Sequence, residues 1–392
     1  MKPDVLVAVE DPGAANALAP VVAALRREDR MDVCLICHPY AQPAFVSFGL
    51  PMGDGESITP AVIERRFATR PPRLVLIGTA ENVQSIDRVC LLQARRLGIP
   101  SLCLLDYWSQ YTERFSGATA GERLAYLPDR ICVMDQAAND ALVAVGIPAH
   151  RLIVTGHPYL ETYVQRLPPF PPAARARYLQ GLGLAPDRRI VTFVSETFGW
   201  SYDPSYQFPP RSTSRERTVI ILEHVLAVLS DLVRERGLRI AVVNKLHPKN
   251  TLEEFEWLDR RLWPFPVRSL TATDNPSLLR ASSLVIGMTS MLLVEAACVG
   301  VPSLSVVPRA AEEQLGPGGA QICDVARNPE ELRETVARLL VVERGGWAPN
   351  TPPLSVLHAG ATARVVRSLY GLLGLLEEPS RAMVSEAAQT DG

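Results

Sequence analysis

The strongest constraint on the fold is an alternation that repeats along most of the chain. Short apolar runs of strand length are each followed by a small polar turn and a stretch of helical periodicity. In a first series the strands are Val5 to Val9, Asp32 to Cys37, Leu74 to Gly78, Ser101 to Asp106, Arg130 to Met134 and Leu152 to Thr155. Helices from Ala15 to Arg27, Gln84 to Leu97 and Gln136 to Val145 fall among them. A second series has strands at Ile190 to Val194, Arg239 to Lys245, Leu284 to Ile286 and Pro302 to Val306. Its helices are Thr218 to Arg236, Met291 to Cys298, Pro329 to Val342 and Ala361 to Leu376. Apolar strands that alternate with helices imply parallel sheets covered on both faces, an α/β protein.

The two series meet at Leu167-Pro168-Pro169-Phe170-Pro171-Pro172, a stiff punctuation suited to a linker. At 392 residues the chain is long enough for two domains. The expected division is a first Rossmann-like domain over residues 1–166, a linker over 167–185 and a second Rossmann-like domain over 186–348. A C-terminal helix within 349–378 is expected to pack back on the first domain, ahead of a flexible tail at 379–392. Two doubly wound halves facing across a cleft would place the site at the strand C-terminal ends. The polar, aromatic insertion Gly199 to Arg217 is expected to be a loop over that cleft.

A net charge of -2 gives no basic field for nucleic acid, although it leaves small anionic ligands open. The seven cysteines are odd in number and mostly lie in apolar runs, as expected of reduced, buried thiols in a cytoplasmic protein. Cys34 and Cys37 have a CxxC spacing but no second cysteine pair to complete a zinc site. No 18-residue apolar span crosses a membrane, and the N-terminus is too short for a signal peptide. Peripheral contact with the inner face of the membrane, and an oligomer, stay open.

Candidate site residues stand where strands end. Between Ile286 and Met291 the turn offers backbone N–H groups and the hydroxyls of Thr289 and Ser290 at a helix N-terminus, a place that favours phosphate. Glu295, on the same helix, could receive a ribose; an ordinary capped crossover is the competing reading. Ser195-Glu196-Thr197 occupies the first phosphate-loop position of the second half, or is a simple polar turn. His247 follows an apolar strand beside Lys245, where it could donate to a leaving phosphate, or else is a bend histidine before Pro248. Glu10 and Asp11 end the first strand, and a carboxylate there could act as a general base or cap a helix ahead of Pro12. Asp106, Tyr107 and Trp108 suit an acceptor sugar, the rings stacking and Asp106 fixing hydroxyls, or a packed face behind a capping Asp. No Asp-x-Asp stands at a strand end, so no metal and no cofactor is expected.

The block from Ile131 to Met134 through Gly146-Ile147-Pro148 to Leu152-Ile153-Val154-Thr155-Gly156-His157-Pro158 resembles the inter-domain crossover of GT-B glycosyltransferases and of the related UDP-N-acetylglucosamine 2-epimerases. The stretch Thr289 to Pro302, with Glu295 at the ribose position, resembles their donor-binding segment. Lys245-Leu246-His247-Pro248 is similar to the Lys-x-His-Pro motif of CDP-glycerol glycerophosphotransferases and bacterial sialyl- and Kdo-transferases, in which the histidine contacts the donor phosphate. The resemblance implies the GT-B fold and a catalytic base at Glu10 or Asp11, across from His247. It further implies donor contacts from Ser195, Glu196, Thr197, Lys245, His247, Thr289, Ser290 and Glu295. The expected activity is a metal-independent GT-B glycosyltransferase. It would move a sugar or polyol phosphate from a nucleotide-activated donor to a hydroxyl on a glycan, lipid-linked or small-molecule acceptor. Two readings compete: a hydrolysing nucleotide-sugar 2-epimerase, and a non-catalytic GT-B-like subunit that binds a nucleotide sugar. Thr289-Ser290-Met291 and a single Glu295 depart from the Ser-Gly-Gly and paired glutamates usual in the epimerases.

Overall fold

The first series of apolar runs becomes β1 (Asp4–Val9), β2 (Asp32–Cys37), β3 (Leu74–Ile77), β4 (Ser101–Leu104), β5 (Arg130–Val133) and β6 (Leu152–Val154). The computed structural model, which describes residues 2, 4–50, 58–80, 82–199, 201–309, 312, 316, 321–341 and 358–375, pairs these strands in parallel in the order β2-β1-β3-β4-β5-β6. Every residue of β3 and β4 is buried, as befits central strands covered on both faces. Helices α1 (Pro12–Glu28), α2 (Gln42–Val46), α3 (Pro60–Thr69), α4 (Ile86–Leu97), α5 (Gln136–Ala144) and α6 (Pro158–Tyr163) supply the connections. Their starts are local chemistry: Pro12 at the first turn of α1, Ser85 accepting from Arg88 N–H, and Asp135 accepting from Ala138 N–H at 2.8 Å. The helix Ala361–Leu372 buries Val365, Val366 and Leu369 in one core with Leu18, Val22 and Leu25 of α1.

The chain divides into two compact units. The first is Met1–Asp106, Tyr111–Tyr159 and His358–Gly392, and the second is Tyr107–Gln110 and Leu160–Leu357. The division falls inside α6. Residues 342–357 and 376–392, which hold the start of the expected C-terminal segment and the expected tail, lie outside the described residues.

Within the first unit, the Thr155-Gly156-His157 corner is a buried junction. The His157 N–H donates to His358 Nδ1 at 3.2 Å, and the Arg364 Nε–H donates to the Thr155 carbonyl at 2.7 Å. Gly156 has φ +84°, and a Cβ there would meet Ala361 and Arg364 at 3.0 Å, so only glycine fits. Burial pushes His157 below its ordinary pKa, and burial with His157 and Arg364 nearby pushes His358 down to about 3. Both rings are therefore neutral in the fold, while in the unfolded chain they take up protons below their ordinary value of about 6.5. The unfolded state then binds more protons, so stability falls as pH drops below about 6.5, in the case of His358 down to about 3, with a slope of up to about 1.4 kcal/mol per pH unit for each ring that stays neutral. Chemical denaturation at a series of acid pH values should show this fall, and His358→Asn should flatten it. An unchanged slope in that variant would refute the assignment.

The second unit repeats the plan with β7 (Arg189–Val194), β8 (Ile240–Lys245), β9 (Val267–Leu270), β10 (Leu284–Gly287), β11 (Ser303–Val306) and β12 (Asp324–Ala326). All pair in parallel, in the order β12-β11-β10-β7-β8-β9. Its helices include α7 (Pro172–Gly181), α8 (Arg217–Arg236), α9 (Asn275–Ala281), α10 (Met291–Cys298) and Pro329–Leu339. Part of the proline-rich segment read as a linker is thus α7, whose Leu179 is buried with Leu184 and Ile190. The insertion at 199–217 is irregular in the described residues, as expected of a loop, but part of it is packed into the core. Phe208 is fully buried among the α8 side chains Ile220 and Ile221, and Gln207 N–H donates to the Pro308 carbonyl. Among the described residues no helix is long and apolar enough to cross a membrane.

Candidate functional site

In an open parallel sheet a ligand site forms where the strand order reverses, because the two adjacent connections leave in opposite directions from the strand C-terminal ends. In the second unit that point lies between β7 and β10. It is where the sequence places Ser195-Glu196-Thr197 and Thr289-Ser290.

Glu196 is held on all sides. Its N–H donates to Thr218 Oγ1 at 3.2 Å, and its carbonyl accepts from Asn250 Nδ2 at 2.9 Å. Its Oε1 accepts both the Thr289 N–H at 2.8 Å and the Thr289 hydroxyl at 2.6 Å. The Thr289 donors expected to meet a phosphate thus already hold a carboxylate. Ser290 caps α10, its Oγ accepting from Leu292 N–H at 3.2 Å. The Ser195 hydroxyl donates to Asn244 Oδ1 at 2.6 Å, inside the sheet end rather than outward. Thr197 is half-buried beside them. Glu295 is buried beside Tyr163, whose pKa rises through burial and this carboxylate.

His247 ends β8 as expected. Its Nδ1 accepts the Lys249 N–H at 3.2 Å. In the neutral ring the proton must then sit on Nε2, which makes His247 a neutral donor. Burial, then Lys249 and Lys245, hold its pKa below the ordinary value, with Glu196 opposing them. Lys245, the last residue of β8, is turned inward. Its ammonium donates to the Leu246 carbonyl at 2.6 Å and is 6% exposed, with a pKa lowered by burial. Its positive charge biases His247 towards neutrality.

Arg217 and Glu312, absent from the sequence reading, complete this cluster. Arg217, the first residue of α8, is buried with its Nη2 3.0 Å from Glu312 and 3.8 Å from Glu196, and Arg309 also pairs with Glu312. Nothing local signals this, since an arginine opening a helix runs against the dipole and is held only by carboxylates distant in sequence.

The first unit reverses between β1 and β3, with Glu10 and Asp11 after β1 and Thr79 after β3. Glu10 is built into the frame: Oε1 accepts from Asn82 Nδ2 at 2.7 Å and Oε2 from Ile86 N–H at 2.9 Å, capping α4. In return the Glu10 N–H donates to Asp87 Oδ2 at 3.1 Å. Asp87 is fully enclosed, and burial, with Asp11 and Glu10 adding, pushes it up to about 8. Asp11 sits at the N-cap position of α1 without a side-chain cap bond. Asp106 Oδ1 accepts from the Thr79 hydroxyl and from Arg114 Nη1, each at 2.8 Å, and its carbonyl lies 2.9 Å from His157 Nε2. A Cβ on Gly13 would stand 2.5 Å from Asp106 Oδ2, so the α1 turn needs glycine to pass this carboxylate.

The expected acceptor trio is divided between the two units. Asp106 belongs to the first unit, in a buried ion pair with Arg114, while Tyr107 and Trp108 belong to the second. The Tyr107 hydroxyl donates to the Thr289 carbonyl, and Trp108, 2% exposed, has no face to offer a ring. Among the described residues no group of three or more His, Cys, Asp and Glu could hold a metal ion. The CxxC cysteines are free, Cys37 being pushed up to about 11 by burial.

No family model matches the chain, and no curated protein matches it. Solved structures do, over nearly their whole length. A co-structure of Staphylococcus aureus MnaA with UDP is 15% identical with a TM-score of 0.66, covering 96% of this chain and 99% of that one. The UDP-GlcNAc 2-epimerase of Methanocaldococcus jannaschii, in complex with UDP-GlcNAc and UDP, is 15% identical with a TM-score of 0.63, covering 94% and 99%. The UDP-GlcNAc 2-epimerase of Neisseria meningitidis, bound to UDP-GlcNAc, is 12% identical with a TM-score of 0.61, covering 94% and 100%. The expected fold, two doubly wound α/β halves, therefore stands. The expectation of glycosyl transfer does not stand, because the matched structures bear the name of the competing activity, 2-epimerisation. The chain has the two-sheet α/β fold of the UDP-GlcNAc 2-epimerases.

Proposed function

We propose that this protein is an enzyme acting on a nucleoside-diphosphate sugar, as a nucleotide-sugar 2-epimerase, with the nucleotide held by the second unit. The observation that carries the reading is the match of 94% or more of the chain to structures solved with UDP or UDP-GlcNAc. The Glu196, Thr289 and His247 cluster at the β7–β10 reversal is consistent with it.

The chemistry sets the demands. The C2 hydrogen of a sugar acetal has no neighbouring carbonyl to acidify it. Inversion becomes accessible when the C1–O bond to phosphate breaks as the C2 proton leaves. The C–H electron pair becomes a C1–C2 double bond, and the diphosphate departs with the C–O pair. Return of a proton to the other face of C2, and of an oxygen to C1, completes the inversion. This requires a base, an acid and a donor to the growing phosphate charge. His247, with Nε2–H as its donor, is assigned to the phosphate. Asp11 and Glu10, at the end of β1, keep their assignment as the base. Glu295, buried beside Tyr163, keeps its assignment to ribose.

Incubation with UDP-GlcNAc in deuterium oxide is the direct test. The expected result is deuterium at C2 of a product with inverted C2, either as the free sugar or still linked to UDP. Binding without deuterium incorporation would make the chain a nucleotide-sugar-binding subunit instead.

A further inference from the structure

Resting on that reading, we propose that Glu196 is a specificity-determining residue that makes the second unit favour an intact nucleotide sugar over the free nucleoside diphosphate. The sequence places a phosphate at the Thr289–Ser290 turn, but the structure places a carboxylate there first. Glu196 cannot swing away cheaply, since four hydrogen bonds fix its backbone and Oε1. Its Oε2 faces Arg217 at 3.8 Å, and that guanidinium is drawn closer, to 3.0 Å, by Glu312. The side chain is 18% exposed, so a ligand at the turn can sense it. Glu196 also acts on His247, so it stands near the donor assigned to the phosphate.

A fixed carboxylate in this place discriminates by charge. In a nucleotide sugar each phosphate is a diester with a single ionisation. Once the sugar is gone, the terminal phosphate has a second ionisation near pH 6, and it gains a further negative charge at neutral pH. Repulsion across a partly buried gap makes that extra charge worth about ten- to a hundred-fold in affinity. A hydroxyl of the intact sugar, by contrast, finds an acceptor in Oε2. Glu196 would thus loosen the free diphosphate after the C1–O bond has broken and the sugar has left.

Calorimetric titration of the full chain with UDP and with UDP-GlcNAc tests this. Glu196→Gln keeps an acceptor oxygen for Thr289 but removes the charge. It should tighten UDP by about ten-fold or more and UDP-GlcNAc by less than about three-fold. The wild-type protein gives an independent measure. Lowering the pH from about 7.5 to about 5.5 should tighten UDP relative to UDP-GlcNAc, because only the free terminal phosphate gains a proton. Arg217, with Glu312 behind it, faces Glu196, as does His247 with Lys245 and Lys249 around it, and all of them are present in both titrations. Equal weakening of both ligands in Glu196→Gln would reduce Glu196 to a cap of the Thr289 turn and overturn the proposal. So would a ratio that does not move with pH, which decides the matter even if the variant fails to fold. Failure of the wild-type protein to bind either nucleotide would instead remove the nucleotide-sugar reading itself, and this inference with it.

Discussion

His247→Ala should lower turnover of UDP-GlcNAc by about 100-fold to 1,000-fold, the usual loss on removing a donor to a developing oxyanion. The melting temperature should stay near that of the wild type. His247 is half-buried, and the hydrogen bond its Nδ1 accepts from Lys249 N–H is worth only about 1 kcal/mol. The effect should fall on turnover and not on nucleotide affinity, because the phosphate gains charge only as the C1–O bond breaks, and only such strengthening interactions lower the barrier. His247→Gln, which can still present an N–H, should recover part of the loss. A variant with normal turnover in its folded fraction would make His247 a bend residue before Pro248.

Phe208→Ala should destabilise the second unit by about 3–5 kcal/mol, a shift of about 10 °C or more in melting temperature. Phe208 lies in the 199–217 insertion, yet it is fully buried in the main core of that unit and meets His224 edge-on at 5.3 Å. The His224 Nε2 in turn lies 2.8 Å from the Pro209 carbonyl, so the ring and the backbone beside it are fixed together. Truncation removes the aromatic volume and leaves a cavity that α8 is too constrained to close. Differential scanning calorimetry should show the transition move as stated. A change under about 1 kcal/mol would mean that the insertion is a surface loop after all.

What the sequence by itself determined was everything carried by short-range physics. The apolar runs became central parallel strands because a residue buried on both faces must be apolar whatever its partner. Asp135 and Ser290 became caps because a side-chain oxygen reaches an N–H two or three residues on without help from the rest of the chain. Gly300, just after α10, has φ +70°, a conformation glycine adopts freely.

Only the tertiary structure decided the rest. β9 and β12, with the sequences VRSL and DVA, carry no apolar run and exist as strands at the sheet edges because a neighbour offers its ladder. Glu196 meets Thr289 from 93 residues away, Arg217 meets Glu312 from 95, and Glu10 meets Asp87 from 77. The strand order β10-β7-β8 brings the first of these pairs together, and no period or cap encodes that order. This is why Thr289 read as a pair of open donors for phosphate, and Lys245 as a cation beside His247. A side chain's chemistry is written at its position. Whether that chemistry is already satisfied depends on which distant strand end the sheet sets beside it.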